Sequence, residues 1–427
     1  MIHHITRDEL YSDLFVAYHI AIRHKSKKPY VIEFSKHLEA NIRELTDELF
    51  ERRYIPRPST CFIVNHPKKR EVFAADFRDR IVHHYIFMKT HILFERTFIA
   101  DSYSCIEGRG THYGIDRLRY HIEACSENYT KPCYVLKMDI KGYFMHIDRA
   151  LLYEITDGKL RKMAKHPSHI TGKRWDELID VDFLCYLCHE VIMVDPTVGC
   201  IIKGSATDWI GLPASKSLLV HAAQHRLVGM PIGNLTSQLF SNVMLSMFDD
   251  WMKRTMGCKH YGRYVDDFFV VSCDKRWLIG LADKVAVFLH DVLHLDINKG
   301  KTRIINVRYG VEFLGGYIKP FRTYISNQSL RRMMAQIPSL RDKDGAFVFA
   351  SVNSFLGVLV HYRSFNIRKA LVDGVNVAEA RCRVDEGYYK LVRWRLGAIP
   401  KARAIRSDKS SILAAIPIAI YKLKLSL

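Results

Sequence analysis

The chain has 427 residues, enough for two or three subdomains around a real core, and 48% of them are hydrophobic, which excludes an intrinsically disordered protein. Its net charge of +19 and pI near 9.4 exceed what solubility needs and point to a polyanion partner, nucleic acid above all. Ten cysteines without a paired framework suggest reduced thiols in a cytoplasm, the polar start Met1–Glu9 shows no signal peptide, and the apolar run Ile412–Tyr421 is short and contains Pro417, so no membrane span is expected.

Residues 1–55 read as helical. Tyr11, Leu14, Phe15, Tyr18 and Ile22 recur at helical spacing, as do Leu38, Ile42, Leu45, Leu49 and Phe50. Lys68, Lys69 and Arg70 then precede the β-type run Glu71–Ala75 and the pair Asp79-Arg80. A basic turn before a strand is ordinary, but Arg forks match phosphate oxygens, so Lys68 and Arg70 are candidate triphosphate contacts. Arg80–Phe98 predicts an amphipathic helix. In Asp101–His112 the glycines around Arg109 would let backbone approach template or nucleotide; a turn with one exposed Arg is the alternative.

The run Cys133–Ile140 reads as an apolar strand that ends in Asp139, followed by Lys141-Gly142-Tyr143-Phe144. Far downstream, Tyr261–Val271 predicts a tight hairpin with Asp266 and Asp267 at its tip. Adjacent anions disfavour each other's ionisation, a cation removes that cost, and hard oxygen ligands suit Mg²⁺. Two strands that deliver three carboxylates to one place make a two-metal site for phosphoryl transfer. A lone Asp-Asp would read as an ordinary turn.

Between these strands, Cys185-Tyr186-Leu187-Cys188-His189 matches a haem-attachment pattern. The stretch Phe183–Ile192 reads instead as a buried helix in which Cys is a small hydrophobe, and no further ligands at zinc spacing are found for it. Met230–Gly233 predicts a turn. Thr236 is expected to cap a helix running to about Met256, whose start suits phosphate. Asp274 caps a second helix, and strands and helices together predict a ferredoxin-like arrangement. Lys301 is a candidate general acid toward a leaving pyrophosphate. Gly315 and Gly316 would allow close backbone approach. From about Ser326 onward, 18 Lys plus Arg face 7 Asp plus Glu, a net of +11 that suits helices gripping a duplex through its phosphates.

Tyr264-Val265-Asp266-Asp267 and Asp139-Ile140-Lys141-Gly142-Tyr143-Phe144 resemble the palm motifs of reverse transcriptases. Pro231-Ile232-Gly233-Asn234-Leu235-Thr236-Ser237-Gln238 and Leu212–Leu218 resemble the reverse transcriptases of diversity-generating retroelements, where group II intron and retroviral relatives usually carry Gln-Gly and Ser-Pro. The motifs run in the family's order across most of the chain. The resemblance implies an α+β right-hand polymerase fold: an N-terminal helical extension (1–55), fingers (56–132), a ferredoxin-like palm with a fingers insertion (133–325), and a basic helical thumb and tail (326–427).

The resemblance also implies an RNA-directed DNA polymerase that copies a template RNA into cDNA, error-prone at template adenines, in mutagenic retrohoming. A group II intron- or retron-type enzyme and an inactive RNA-binding polymerase fold are the alternatives. It implies two Mg²⁺ ions, Mn²⁺ being a substitute, held by Asp139, Asp266 and Asp267 with Ile140 in the set. Deoxynucleotides would be contacted by Lys68, Arg70, Arg109, Phe144, Ile232, Gly233, Gln238 and Lys301. Phe144, or else Tyr143, would exclude a 2′-hydroxyl, and Ile232 stands where many relatives carry Gln. Phe313, Leu314, Gly315 and Gly316 would grip the primer end. The implied partners are template RNA, the cDNA primer duplex and a small basic pentameric accessory protein, and the implied location is the cytoplasm, for a bacterial or phage-encoded protein. No nuclease domain is expected.

Overall fold

The N-terminal apolar periodicity forms three helices, α1 (Arg7–Ala21), α2 (Pro29–Lys36) and α3 (Leu38–Phe50). Thr6 starts α1 with a capping box: its hydroxyl accepts from the Glu9 N–H, and the Glu9 carboxylate accepts from the Thr6 N–H. Leu10, Leu14, Ile42, Leu45 and Leu49 are fully buried in one continuous core with Leu136, Met138, Phe268 and Val270. This stretch is therefore part of the main body rather than an appended extension. The structure, a computed structural model, describes residues 2–65, 68–222, 227–340, 343–375 and 382–393. It divides into two units, Met1–Pro167 with Lys173–Phe321, and Ser168–Gly172 with Arg322–Leu427. The second begins at Arg322 rather than at 326.

The first unit continues through β1 (Thr60–Val64), β2 (Arg70–Ala74), α4 (Phe77–Glu95), α5 (Thr111–Cys125), β3 (Tyr134–Asp139), α6 (Tyr143–His146), α7 (Arg149–Ala164), α8 (Val181–Met193), β4 (Ile201–Ile202) and α9 (Leu218–Ala222). It closes with α10 (Leu235–Asp250), β5 (Tyr261–Tyr264), β6 (Asp267–Ser272), α11 (Lys275–Leu293), β7 (Arg303–Asn306), β8 (Val311–Phe313) and β9 (Gly316–Lys319). β1 and β2 form an antiparallel hairpin to which β4 adds in parallel.

Two helices depart from the sequence expectation. α4 begins at Phe77, not Arg80, because the Asp76 carboxylate accepts from the Arg78 N–H and caps it. It is no surface helix: Phe77, Ile81, Val82, Tyr85, Ile86, Leu93 and Phe94 are all buried. α10 is preceded by Asn234 at the cap position, and Thr236 lies inside the first turn. The Thr236 hydroxyl is 2.7 Å from His83 Nδ1 of α4, and Asn234 Oδ1 accepts from the Ala75 N–H. Both polar side chains tie the start of α10 to its neighbours instead of capping it.

β3, β5, β6 and β7 make one antiparallel sheet in the order β5-β6-β3-β7. With α10 between β3 and β5, and α11 between β6 and β7, this is the βαββαβ topology of a ferredoxin-like palm. Strand alternation sorts its faces. Phe268 meets Phe248 of α10 at 5.1 Å between ring centroids, while its neighbour Phe269 meets Phe313 of β8 at 5.2 Å.

The second unit holds β10 (Arg322–Ile325), α12 (Asn327–Met334), α13 (Gly345–Leu359), α14 (Phe365–Asp373), β11 (Cys382–Val384) and β12 (Leu391–Arg393). The antiparallel β11–β12 pair is an addition to the all-helical expectation. Asn353 of α13 fastens it, accepting from the Leu391 N–H and donating to the Leu391 carbonyl. Residues 394–427, with the run Ile412–Tyr421, lie outside the described residues. Among the described residues no helix is long and apolar enough to cross a membrane.

Candidate active site

Tyr264 pairs with Asp267, so the hairpin turn consists of Val265 and Asp266. The tip is one residue earlier than expected: Asp266 sits in the turn and Asp267 opens β6. Val265 has φ 54°, a costly conformation for a β-branched residue. Its N–H donates to Ser104 Oγ at 3.2 Å, and its carbonyl accepts from Arg263 Nη1 at 2.9 Å. Arg263 is itself fully buried. Its Nε and Nη2 donate to the two oxygens of Asp249 at 2.8 and 2.6 Å, and Nη1 also reaches Asn242 Oδ1 at 3.2 Å. Asp101–Ser104 runs beside β5, exchanging backbone bonds with Arg263 on both sides. The turn is thus held from beneath by a satisfied polar network, the condition under which buried charge is tolerated.

The strand register sets Asp139 opposite Asp267, with Asp266 in the adjoining turn. Burial raises Asp266 to about 6, and the charges of Asp267 and Asp139 add to the effect. Asp267 is also raised, by burial first and by Asp139, against the pull of Lys137, Lys301 and Lys68. Lys301 Nζ lies 2.5 Å from Asp139 Oδ2, and Asn298 Nδ2 lies 3.2 Å from Oδ1. Burial pulls the Lys301 ammonium down, but its bond to Asp139 and the nearby Asp267 and Asp266 charges hold it above its ordinary value. Three crowded carboxylates that repel one another, relieved in part by Lys137, Lys301 and Lys68, fit a divalent cation with oxygen ligands. Ile140 is buried, so only its backbone faces this choice; its N–H donates to the Asp266 carbonyl. None of the three carboxylates lines the nearby groove of about 780 Å³ formed by Lys141, Lys216, Asn298 and Lys299 among others.

Lys68 and Arg70 are both exposed at the start of β2, Lys68 close enough to act on Asp267 and Arg70 on Tyr264. Asp79 and Arg80 are structural: Asp79 accepts from Tyr54 Oη and the Arg57 N–H, and Arg80 Nε donates to the Ala75 carbonyl. Arg109 departs from its expected role. Its guanidinium donates to the Ile99 and Ser102 carbonyls, bracing the loop that supports Arg263. Of the two gate candidates, Tyr143 is fully buried with its hydroxyl on the Ser241 carbonyl, which leaves Phe144, half-buried. Phe144 and Ile232 pack against one small cluster of Cys61, Phe73, Met145 and Leu218. Gln238 is exposed and accepts from Cys105 Sγ.

Gly233 has a different reason from nucleotide contact: at φ 129°, a Cβ there would lie 2.9 Å from Val72 Cγ1 and 3.0 Å from the Phe73 carbonyl. At the expected primer grip, one glycine also has a packing reason. Gly315 is a turn residue at φ 87°, and a Cβ on Gly316 would meet Ile115 of α5 at 2.9 Å. Phe313 is fully buried. Gly316 admits this protein's own helix α5.

Two groups were not legible in the sequence. Glu71, 1% exposed, accepts from Trp209 Nε1, Ser217 Oγ and the Leu218 N–H, and so fixes the Leu212–Leu218 stretch against β2. Lys137 of β3 donates to the Glu312 carbonyl at 2.7 Å and lies over the Phe313 ring. Its signal was a lysine amid an apolar strand. Cys185 and Cys188 lie buried in α8, as small hydrophobes do.

A ferredoxin-like palm that presents three carboxylates defines a nucleotidyltransferase with the right-hand polymerase fold, of class α+β. Residues 217–318 match the family model described as reverse transcriptase (RNA-dependent DNA polymerase). That segment holds Ile232–Gln238, Asp266, Asp267, Lys301 and Phe313–Gly316, and Asp139 pairs into it from upstream. The chain therefore carries an RNA-directed DNA polymerase domain. Among curated proteins it is similar to Protein YkfC of Escherichia coli (strain K12), 23% identical over 312 residues, covering 65% of this chain and 71% of that one. Among solved structures it is similar to an apo telomerase of Candida tropicalis truncated from its C-terminal domain, at 14% identity and TM-score 0.43, over 67% of this chain and 60% of that one. It is also similar to the telomerase of Candida albicans in complex with a fragment of telomeric RNA, at 12% identity and TM-score 0.42, over 75% and 56%. The chain spans less than two thirds of the length of either telomerase.

Proposed function

We propose that this protein copies an RNA template into cDNA as the error-prone enzyme of a diversity-generating retroelement. The observation that carries the polymerase reading is the register that sets Asp139 opposite Asp267 with Asp266 in the adjoining turn. The finer reading rests on Ile232-Gly233-Asn234 and Ser237-Gln238.

Asp139, Asp266 and Asp267 are the residues that would hold two Mg²⁺ ions, or Mn²⁺ in their place. Bound there, the ions would supply a primer 3′-hydroxyl of lowered pKa and neutralise the triphosphate. Lys301 donates to Asp139 Oδ2 and places positive charge beside the three carboxylates. Lys68 and Arg70 offer positive charge to triphosphate oxygens from β2. Phe144 presents an apolar wall against a 2′-hydroxyl, which would lose hydration as well as fit. Ile232 cannot hydrogen-bond to a template base or nucleotide as a Gln can, and one such contact discriminates by about 1–3 kcal/mol. Its loss loosens selection of the correct pair. The basic second unit would hold the duplex by its phosphates. A basic accessory protein would be repelled by a chain of net charge +19, so RNA would join the two.

Deep sequencing of cDNA made on a defined RNA, with the accessory protein present, tests this reading. Errors concentrated opposite adenine are expected, and Ile232→Gln should reduce them. Equal error rates at all four template bases would remove the retroelement assignment while leaving a reverse transcriptase. No deoxynucleotide incorporation on RNA would remove both.

A further inference from the structure

Three cysteines far apart in sequence meet at the end of the palm strands remote from the carboxylates. Cys125 is the last residue of α5, Cys133 stands immediately before β3, and Cys273 immediately after β6. Tyr134 pairs with Ser272, so Cys133 and Cys273 flank one end of the strand pair whose other end sets Asp139 against Asp267. The three sulfurs lie within 4.8 Å of one another, with Cys125 and Cys273 at 3.9 Å. Thiolates bound to a tetrahedral metal at about 2.3 Å stand about 3.8 Å apart, so the spacing is nearly that of a metal's coordination edge. Among the described residues this is the one cluster of three His, Cys, Asp or Glu side chains whose ligand atoms converge so closely.

Burial is graded across the cluster. Cys133 is buried, Cys125 half-buried and Cys273 exposed, which leaves one side open for a water as fourth ligand. Lys131 acts electrostatically on Cys273 and Lys259 on Cys125, which suits a site whose three thiolates exceed the charge of one divalent ion. A disulfide would use two thiols and leave the third without a role.

We propose that Cys125, Cys133 and Cys273 form a tri-thiolate site for Zn²⁺. Soft thiolate donors select such ions over Mg²⁺. Binding joins Zn²⁺ to three sulfurs and releases up to three thiol protons to solvent. The ion ties the end of α5 to the far ends of β3 and β6, and so fixes the register of the strands that carry the catalytic aspartates.

The test is metal content of full-length protein purified under reducing conditions, loaded with Zn²⁺ and desalted. An Asp266→Ala/Asp267→Ala background removes the carboxylate site as a source of bound ion. About one zinc per chain is expected. Cys273→Ser, a change at an exposed position, should lower it to under about a tenth, while Cys105→Ser, at an exposed cysteine outside the cluster, should not. Co²⁺ loaded in place of Zn²⁺ should give a sulfur-to-cobalt charge-transfer band that disappears in Cys125→Ser and Cys273→Ser, with circular dichroism unchanged. Zinc or the cobalt band persisting in Cys273→Ser, or neither appearing with all three cysteines intact, would overturn the proposal. So would a Cys125–Cys273 disulfide without metal in protein taken directly from cells.

Discussion

The hairpins β5–β6 and β8–β9 each close on two residues, and in each the first turn residue is a non-glycine with positive φ, Val265 at 54° and Leu314 at 49°. They are stabilised in opposite ways. In β8–β9 the second turn residue is Gly315, so both turn positions follow the φ pattern of a I′ turn. Its side chains go into packing: Leu314 reaches to Gly114 of α5, Gly316 receives Ile115, and Phe313 meets Phe269. In β5–β6 only the first turn position has positive φ, the pattern of a II′ turn, where glycine is the ordinary residue and Val265 is not. Its tip carries the half-buried carboxylates Asp266 and Asp267 in place of docked apolar side chains. Rigidity comes instead from Arg263, Asp249, Asn242 and Ser104 beneath the strand. A hairpin whose tip carries carboxylates takes its support from a buried polar network; one that can dock its tip side chains takes it from apolar packing.

The largest effect should come from breaking that network. Arg263→Met leaves Asp249 buried without its counter-charge and should cost about 3–5 kcal/mol in urea unfolding. Arg263→Met/Asp249→Leu should recover part of the loss, because the orphaned charge goes too. If the single variant cost under about 1 kcal/mol, the network would not be the hairpin's support. In the other hairpin, Gly316→Val forces a side chain against Ile115 and should cost up to about 3 kcal/mol by the same measurement. An unchanged midpoint would mean that the β8–β9 hairpin does not dock on α5.

A smaller effect separates the two hairpins by pH. His83 is buried against Thr236 of α10, the helix that supplies Asn242 and Asp249, and burial, then the charges of His84 and Arg80, hold it down to about 3. Between about pH 6.5 and 3 the unfolded chain binds this proton and the folded chain does not. The contribution is therefore complete above about 6.5 and drains as pH falls, to a loss of about 2 kcal/mol at pH 5. Asp79 and Asp266, both held near 6, act in the opposite sense. The reading is therefore a difference: between about pH 7.5 and 5, unmodified protein should lose about 2 kcal/mol more than His83→Asn. Parallel curves would show that His83 titrates freely. The smallest change is Val265→Asn. Asn tolerates left-handed backbone, so stability should rise by up to about 1 kcal/mol. A loss of that size would show that Val265 packing outweighs the strain.

The sequence made the catalytic hairpin visible because its signal is local: two apolar runs around paired carboxylates, with a third carboxylate at the end of another apolar run. The ferredoxin-like order was legible for the same reason, since helices and strands alternate with clear periods. The partner of Arg263 was not, because Asp249 lies across a helix and a turn and nothing local couples them. Thr236 was misread as a cap because its competitor, a buried His83, is far upstream. Gly315 and Gly316 announced close approach, but glycine does not say what approaches; at Gly316 it is Ile115 of α5. The cysteines looked scattered because Cys125, Cys133 and Cys273 converge only once β3 and β6 have paired.

The central claim is that Asp139, Asp266 and Asp267 act together as the metal-holding site of a polymerase. Primer extension on an RNA template with Mg²⁺ and deoxynucleotides, run alongside RNA binding for the unmodified protein and Asp266→Ala/Asp267→Ala, tests it most directly. The double variant should lose at least about a thousandfold in incorporation while binding RNA within about twofold. Robust extension by the double variant would contradict the account.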